Sequence, residues 1–108
     1  MIHMQRKLVI VLFALFLAAC ASTATDTVWL DVRSVEEYQE DHMENTANIP
    51  HTEIVTRIAD LGLSKDTPIN VFCRSGVRAG LALTALQELG YTNVTNVGGI
   101  ADARSLRQ

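Results

Sequence analysis

The chain has 108 residues, enough for one small domain. Twelve acidic residues oppose nine basic ones, a net charge of −3. No basic stripe is visible, which argues against nucleic acid as a partner. Hydrophobic residues make up 48% of the chain, and the excess over the globular norm crowds the first twenty positions.

There a basic pair, Arg6 and Lys7, precedes an unbroken apolar run from Leu8 to Leu17. Small residues follow at once, from Ala18 to Ser22. A short basic region, an apolar stretch and a small-residue site describe an export signal over residues 1–20. The run falls short of the roughly 20 apolar residues that span a bilayer, so an uncleaved membrane anchor is the weaker reading. Leu17-Ala18-Ala19-Cys20 resembles the lipobox of bacterial lipoproteins. That resemblance implies a periplasmic protein, lipid-anchored to a bacterial membrane through Cys20. The competing reading is cleavage after Ala19-Cys20-Ala21, which leaves a soluble periplasmic protein. Without Arg6 and Lys7, seven basic residues face 12 acidic ones, a net of −5.

Residues 21–27 are a polar tether without apolar period. The domain proper is expected over residues 28–108. Val28-Trp29-Leu30-Asp31-Val32 reads as a largely buried strand. Ser34 with Glu37 three residues on forms a capping-box pattern for a helix from Val35 to about Asp41. A loop then leads to the extended Asn48-Ile49-Pro50. Thr52 is positioned to cap a second helix, Glu53 to about Leu61, with Ile54, Ile58 and Leu61 on one face and Gly62 as its stop.

Asp66-Thr67-Pro68 marks a turn before the strand Ile69 to Cys73. Arg74-Ser75-Gly76-Val77-Arg78 is a tight loop, and a helix follows from Ala79 until Gly90. Val94-Thr95-Asn96-Val97 is the last strand, and Gly98-Gly99 turns out of it. Alternating strands and helices predict an α/β fold with a mainly parallel sheet.

The strand–loop–helix around Cys73 carries the chemistry. Strand ends of this kind face the ligand edge of open α/β sheets. Gly76 lets the loop turn its N–H groups inward, and the next helix aims its N-terminal dipole at the same point. With Arg74 and Arg78 nearby, the thiol pKa is expected below its free value of about 8.5. If Cys20 is lipidated or removed, Cys73 is a lone thiol in an oxidising compartment. A packing cysteine would explain its apolar approach, Val71-Phe72, but not two arginines and a glycine in the next five positions.

These residues resemble the rhodanese family of sulfurtransferases. Cys73-Arg74-Ser75-Gly76-Val77-Arg78 is similar to its active-site loop, and Leu30-Asp31-Val32-Arg33 to its first-strand signature. Glu37-Tyr38, the segment from His42 to Pro50, Leu89-Gly90-Tyr91 and Val97-Gly98-Gly99-Ile100 follow in the family's order. The resemblance covers residues 28 to about 100, and in size and export signal it is nearest the small periplasmic single-domain rhodaneses. It implies that Cys73 takes sulfane sulfur from thiosulfate or a similar donor and passes it to cyanide or a thiol, without a cofactor. Amides of Arg74, Ser75, Gly76, Val77 and Arg78 would hold the sulfur anions, and Arg74 would attract the donor.

Asp41, Asn45 and Thr46 replace the family's usual Gly, Gly and Ala; Asn45 can still take a left-handed turn. The tail from Ala101 lacks the tryptophan that often follows the double glycine, which leaves the terminal helix in doubt. Asp31, Arg33 and Glu37 read as structural, with Arg33 and Glu37 at pairing distance along a helix. His42 reads as a loop-fixing residue, since an ionised nucleophile needs no base. Trp29 and Tyr38 read as core. His3 and His51 have no metal-ligand spacing with other candidates.

Two other classes compete. Cysteine-dependent phosphatases and arsenate reductases of related fold resemble a longer Cys-x5-Arg loop, whereas four residues separate Cys73 from Arg78. A non-catalytic rhodanese-like binding module would have no use for Cys73.

Overall fold

Strands linked by helical crossovers must pair in parallel, since each crossover returns the chain to the same edge of the sheet. The computed structural model describes residues 27–108; the expected export signal, Cys20 and the expected tether up to residue 26 lie outside the described residues. Strands β1 (Val28–Asp31), β2 (Ala47–Asn48), β3 (Ile69–Cys73) and β4 (Val94–Gly99) form one parallel sheet in the order β2-β1-β3-β4. The α/β expectation holds.

β1 and β3 lie inside the sheet, which accounts for their near-continuous apolar runs. Side chains alternate between faces, so Val71 and Phe72 enter different clusters. One face buries Leu30, Val71, Ile54, Ile58, Ala82 and Leu86. The other gathers Phe72, Met43 and Ala103, with Trp29, Val97 and Ile100 half-buried against them.

Helix α1 (Val35–Glu40) starts at the predicted capping box: Glu37 N donates to Ser34 Oγ at 3.2 Å, and Ser34 N donates to Glu37 Oε1 at 3.2 Å. Its loop turns at Asn45 with φ 57°, the left-handed conformation expected of that asparagine. The single helix expected from Glu53 to Leu61 is instead broken. A 3-10 turn (His51–Glu53) precedes the one-turn α2 (Ile54–Arg57), and a second 3-10 turn (Ile58–Leu61) runs to Gly62 at φ 63°. Thr52 makes no cap, because the helical turn already begins at His51. The apolar face survives the irregularity, with Ile54 and Ile58 buried.

Helix α3 (Val77–Glu88) begins two residues earlier than Ala79, and Gly90 ends it at φ 97°. The tail forms a helix after all, α4 (Ile100–Arg107). Gly99 N donates to Asp102 Oδ2 at 2.9 Å, which serves its first turn. Ala103 is buried, Arg104 pairs with Asp41 at 2.8 Å, and the Arg107 guanidinium lies over the Trp29 ring. These anchors replace the missing tryptophan.

At the end of β1 the chain carries a buried ion pair. Asp31 is fully buried and Arg33 nearly so, and Asp31 Oδ2 accepts from Arg33 Nη2 at 2.7 Å. Arg33 also donates to the Asp41 carbonyl at 2.7 Å, and Asn48 Nδ2 donates to the carbonyls of Asp31 and Arg33. Arg33 therefore does not pair with Glu37. It precedes the cap Ser34, where the i,i+4 geometry of a helix does not apply. Removing one partner from such a pair leaves an uncompensated buried charge, so Asp31→Ala should lower stability by about 3–5 kcal/mol in urea denaturation. A loss under about 1 kcal/mol would show the pair to be dispensable.

Candidate active site

Cys73 closes β3, and the chain must turn at once to enter α3. The turn is made at Gly76, whose φ of 102° a side chain would resist. This curls the loop around the sulfur. Gly76 N donates to Cys73 Sγ at 2.9 Å and Ala79 N donates at 3.4 Å. Cys73 is 1% exposed, so burial pushes its thiol up. The N–H groups of Ala79, Ser75, Gly76 and Arg78 act oppositely and outweigh it, so the thiol lies below its ordinary pKa. Backbone dipoles, more than side chains, hold the sulfur.

The two loop arginines converge on one acid. Glu37, from α1, accepts from Arg78 Nη1 at 2.6 Å and Nη2 at 3.0 Å. Arg74 Nε reaches the same carboxylate at 3.3 Å, while its side chain stays 69% exposed. The fork-on-fork contact with Arg78 is the strong one, and the exposed Arg74 contact adds little. Hydrogen bonding from Arg78, against the cost of burial, holds the Glu37 carboxyl far below the usual carboxylate range. Pairing of Glu37 with the loop was missed in the sequence. A separation of 41 positions between Glu37 and Arg78 carries no local signal of it.

The loop is also supported from β4. Asn96 Nδ2 donates to the Gly76 carbonyl at 3.0 Å, and Gly98 N donates to Asn96 Oδ1 at 2.9 Å. A Cβ on Gly99 would run into the Arg74 carbonyl oxygen, so this close approach needs glycine. The register between β3 and β4 slips at Val71/Phe72, where Val71 faces Asn96 but Phe72 faces Gly98. The double glycine, read from the sequence as a turn, is the floor of the loop.

Of the predicted site residues, Cys73, Arg74, Ser75, Gly76, Val77 and Arg78 thus form one strand-to-helix turn. Val77 stands 73% exposed at its rim. His42 stacks on the Tyr38 ring, and its Nδ1 lies 2.7 Å from the Tyr38 carbonyl, as a loop-fixing residue would. Trp29 and Tyr38 are half-buried rather than core, and the Tyr38 hydroxyl donates to the Thr46 carbonyl at 3.0 Å. Among the described residues, no group of three His, Cys, Asp or Glu side chains is arranged to hold a metal ion.

A family model for the rhodanese-like domain matches residues 17–104. The chain belongs to that family. It is 42% identical over 74 residues to the thiosulfate sulfurtransferase PspE of Escherichia coli K12, covering 68% of this chain and 71% of that protein. A tRNA sulfurtransferase of Shewanella piezotolerans is 38% identical over 78 residues, of which the match spans 16%. The solved structure of a rhodanese with anions from E. coli aligns with a TM-score of 0.67 at 40% identity, covering 71% of this chain and 91% of that one. The rhodanese-like domain thus brings a fold whose named relatives move sulfur.

The Glu37 contacts predict an acid-sensitive contribution to stability. Its folded pKa is depressed, so the stabilisation is fully present above the unfolded value of about 4.3 and is lost as pH falls toward the folded one. Glu37→Gln should cost about 2 kcal/mol at neutral pH. The gap to the unsubstituted protein should narrow between about pH 5 and pH 2 in denaturant titrations. A gap that is constant with pH would refute the charge pairing.

Proposed function

We propose that this rhodanese-like domain is a sulfurtransferase that works through a persulfide on Cys73, with thiosulfate or a similar sulfane donor. The observation that carries the reading is the cradle: N–H groups of Gly76 and Ala79 on Cys73 Sγ, in a loop with four residues between Cys73 and Arg78.

In the first step the Cys73 thiolate attacks the outer sulfur of thiosulfate. The S–S bond breaks, sulfite leaves with its electron pair, and the outer sulfur stays on Cys73 as a persulfide anion. In the second, cyanide or a thiolate attacks that outer sulfur. Thiocyanate or a new persulfide forms, and the Cys73 thiolate returns. No proton has to move at sulfur, which agrees with His42 being engaged by Tyr38. The amides stabilise the sulfur anion at each stage as fixed dipoles, which need no reorganisation during the reaction. In this reading Arg74 meets the incoming anion, a role supported by its being the more exposed of the two arginines.

A phosphatase or arsenate reductase reading is disfavoured by the same geometry. Such an enzyme needs its arginine on the tetrahedral oxyanion, and both Arg78 Nη atoms are engaged by Glu37. A purely binding role leaves the pKa-lowering cradle unexplained. Export to the periplasm and lipid attachment at Cys20 remain part of the proposal, resting on the pattern of residues 6–22.

Incubation with thiosulfate followed by intact-mass measurement should show a gain of one sulfur atom, absent in Cys73→Ser. No gain from thiosulfate or from any organic persulfide would sink the reading. Cells expressing the full chain and fed a fatty-acid analogue should label it, and Cys20→Ala should abolish the label. An unlabelled protein would eliminate the lipid anchor.

A further inference from the structure

The first turn of α3 supplies the Ala79 N–H that meets Cys73 Sγ, yet this helix has no side-chain cap of its own, because its N-cap is Gly76. The Gly76 carbonyl accepts the first helical bond, from Gly80 N at 3.0 Å. It also accepts a second bond, from Asn96 Nδ2 of β4 at 3.0 Å. Asn96 is locked in turn, since its Oδ1 accepts from Gly98 N at 2.9 Å. That bond arises at the register slip, where Val97 is left without a β3 partner. Bulges of this kind re-aim side chains beside functional sites. Here the bulge leaves one amide side chain with its donor on the loop and its acceptor on its own strand.

We propose that Asn96 is a positioning residue for the Cys73 cradle, fixing the Gly76 peptide and with it the amides of α3's first turn around the sulfur. It does not touch Sγ; it acts through Gly76. A small residue at this helix start keeps the amides close to the sulfur but leaves the turn loose, with φ at 102° and no Cβ to restrain it. The side chain of Asn96 provides the restraint from outside the helix. Its Nδ2 lies 3.6 Å from where a Gly80 Cβ would be, an ordinary contact distance, so the amide packs against the facing turn of α3. The inference rests on Cys73 being the reactive group proposed above.

The charged groups near the cradle are Arg78 of α3, Arg74 of the loop, Glu37 of α1, and Asp102 of α4 behind the double glycine. Neutral substitution of Asn96 alters none of them. The test is the pH dependence of Cys73 alkylation by iodoacetamide in Asn96→Ala. The apparent thiol pKa should rise by about half a unit, roughly threefold less thiolate at pH values below both midpoints, with the plateau rate at high pH unchanged. Leu86→Ala, buried in α3 away from the loop, should lower Tm without moving the profile. Should Asn96→Ala fail to fold, Asn96→Ser is read in the same way. An unshifted profile in either folded variant, or an equal shift in Leu86→Ala, overturns the proposal. Alkylation does not depend on sulfur transfer, so a protein that takes no sulfur from any donor would refute the sulfurtransferase reading and leave this result standing.

Discussion

A sulfur atom at the buried end of a strand is met here by peptide N–H groups, and the shape of the loop follows from that contact. Cys73 is 1% exposed, so protein groups rather than water must satisfy its sulfur. The chain answers by reversing direction within three residues, so that Gly76 N and then Ala79 N point back at Sγ. Only glycine takes the required φ of 102° without strain. The reversal brings the Arg74 carbonyl against β4, and there only glycine fits at position 99. Gly76 and Gly99, from opposite ends of the domain's second half, thus answer one constraint.

The loop is clamped between α1 and β4. Glu37 draws Arg78 and Arg74 toward α1, and Asn96 ties Gly76 to β4. The capping box orients Glu37 for this, because the Oε1 that serves Ser34 N also receives Arg78 Nη1. One carboxylate therefore joins a helix start, a loop and a second helix. The buried Asp31–Arg33 pair acts one strand away, fixing the chain that leaves β1 so that α1 projects from a rigid base. A polar group held by a fully bonded network of this kind specifies position more than it adds stability.

Most of the architecture was legible in the sequence because it is written in local signals. Alternating β-branched runs and helical spacing gave the α/β order, and Ser34 with Glu37 marked α1 to within a residue. Cys73, Gly76 and the arginines were identifiable as one loop because they are contiguous. What escaped are contacts without local signature. Glu37 looked like a partner for Arg33, four residues away, because spacing is visible and the 41-residue separation from Arg78 is not. Asn96 read as an ordinary strand residue, since a bulge depends on pairing with β3. α4 was doubted for want of one tryptophan, although Arg104, Arg107 and Ala103 spread the same anchoring over three positions.

The charge arrangement also bears on why this site suits sulfur. Arg74 and Arg78 are already engaged by Glu37, and the amide dipoles of Gly76 and Ala79 remain to hold the sulfur. In the proposed cycle Cys73 bears a single negative charge both as thiolate and as persulfide. A fixed, neutral cradle serves both states without recruiting a further cation. Phosphoryl transfer to cysteine would place a dianion on the same loop, and a free guanidinium would have to follow the added charge. Arg78 is committed to Glu37 by two short hydrogen bonds, and releasing it would leave a partly buried carboxylate with only the exposed Arg74 and Ser34 as partners. In the proposed cycle, the clamp that keeps the loop small also ties its chemistry to an ion whose charge does not change.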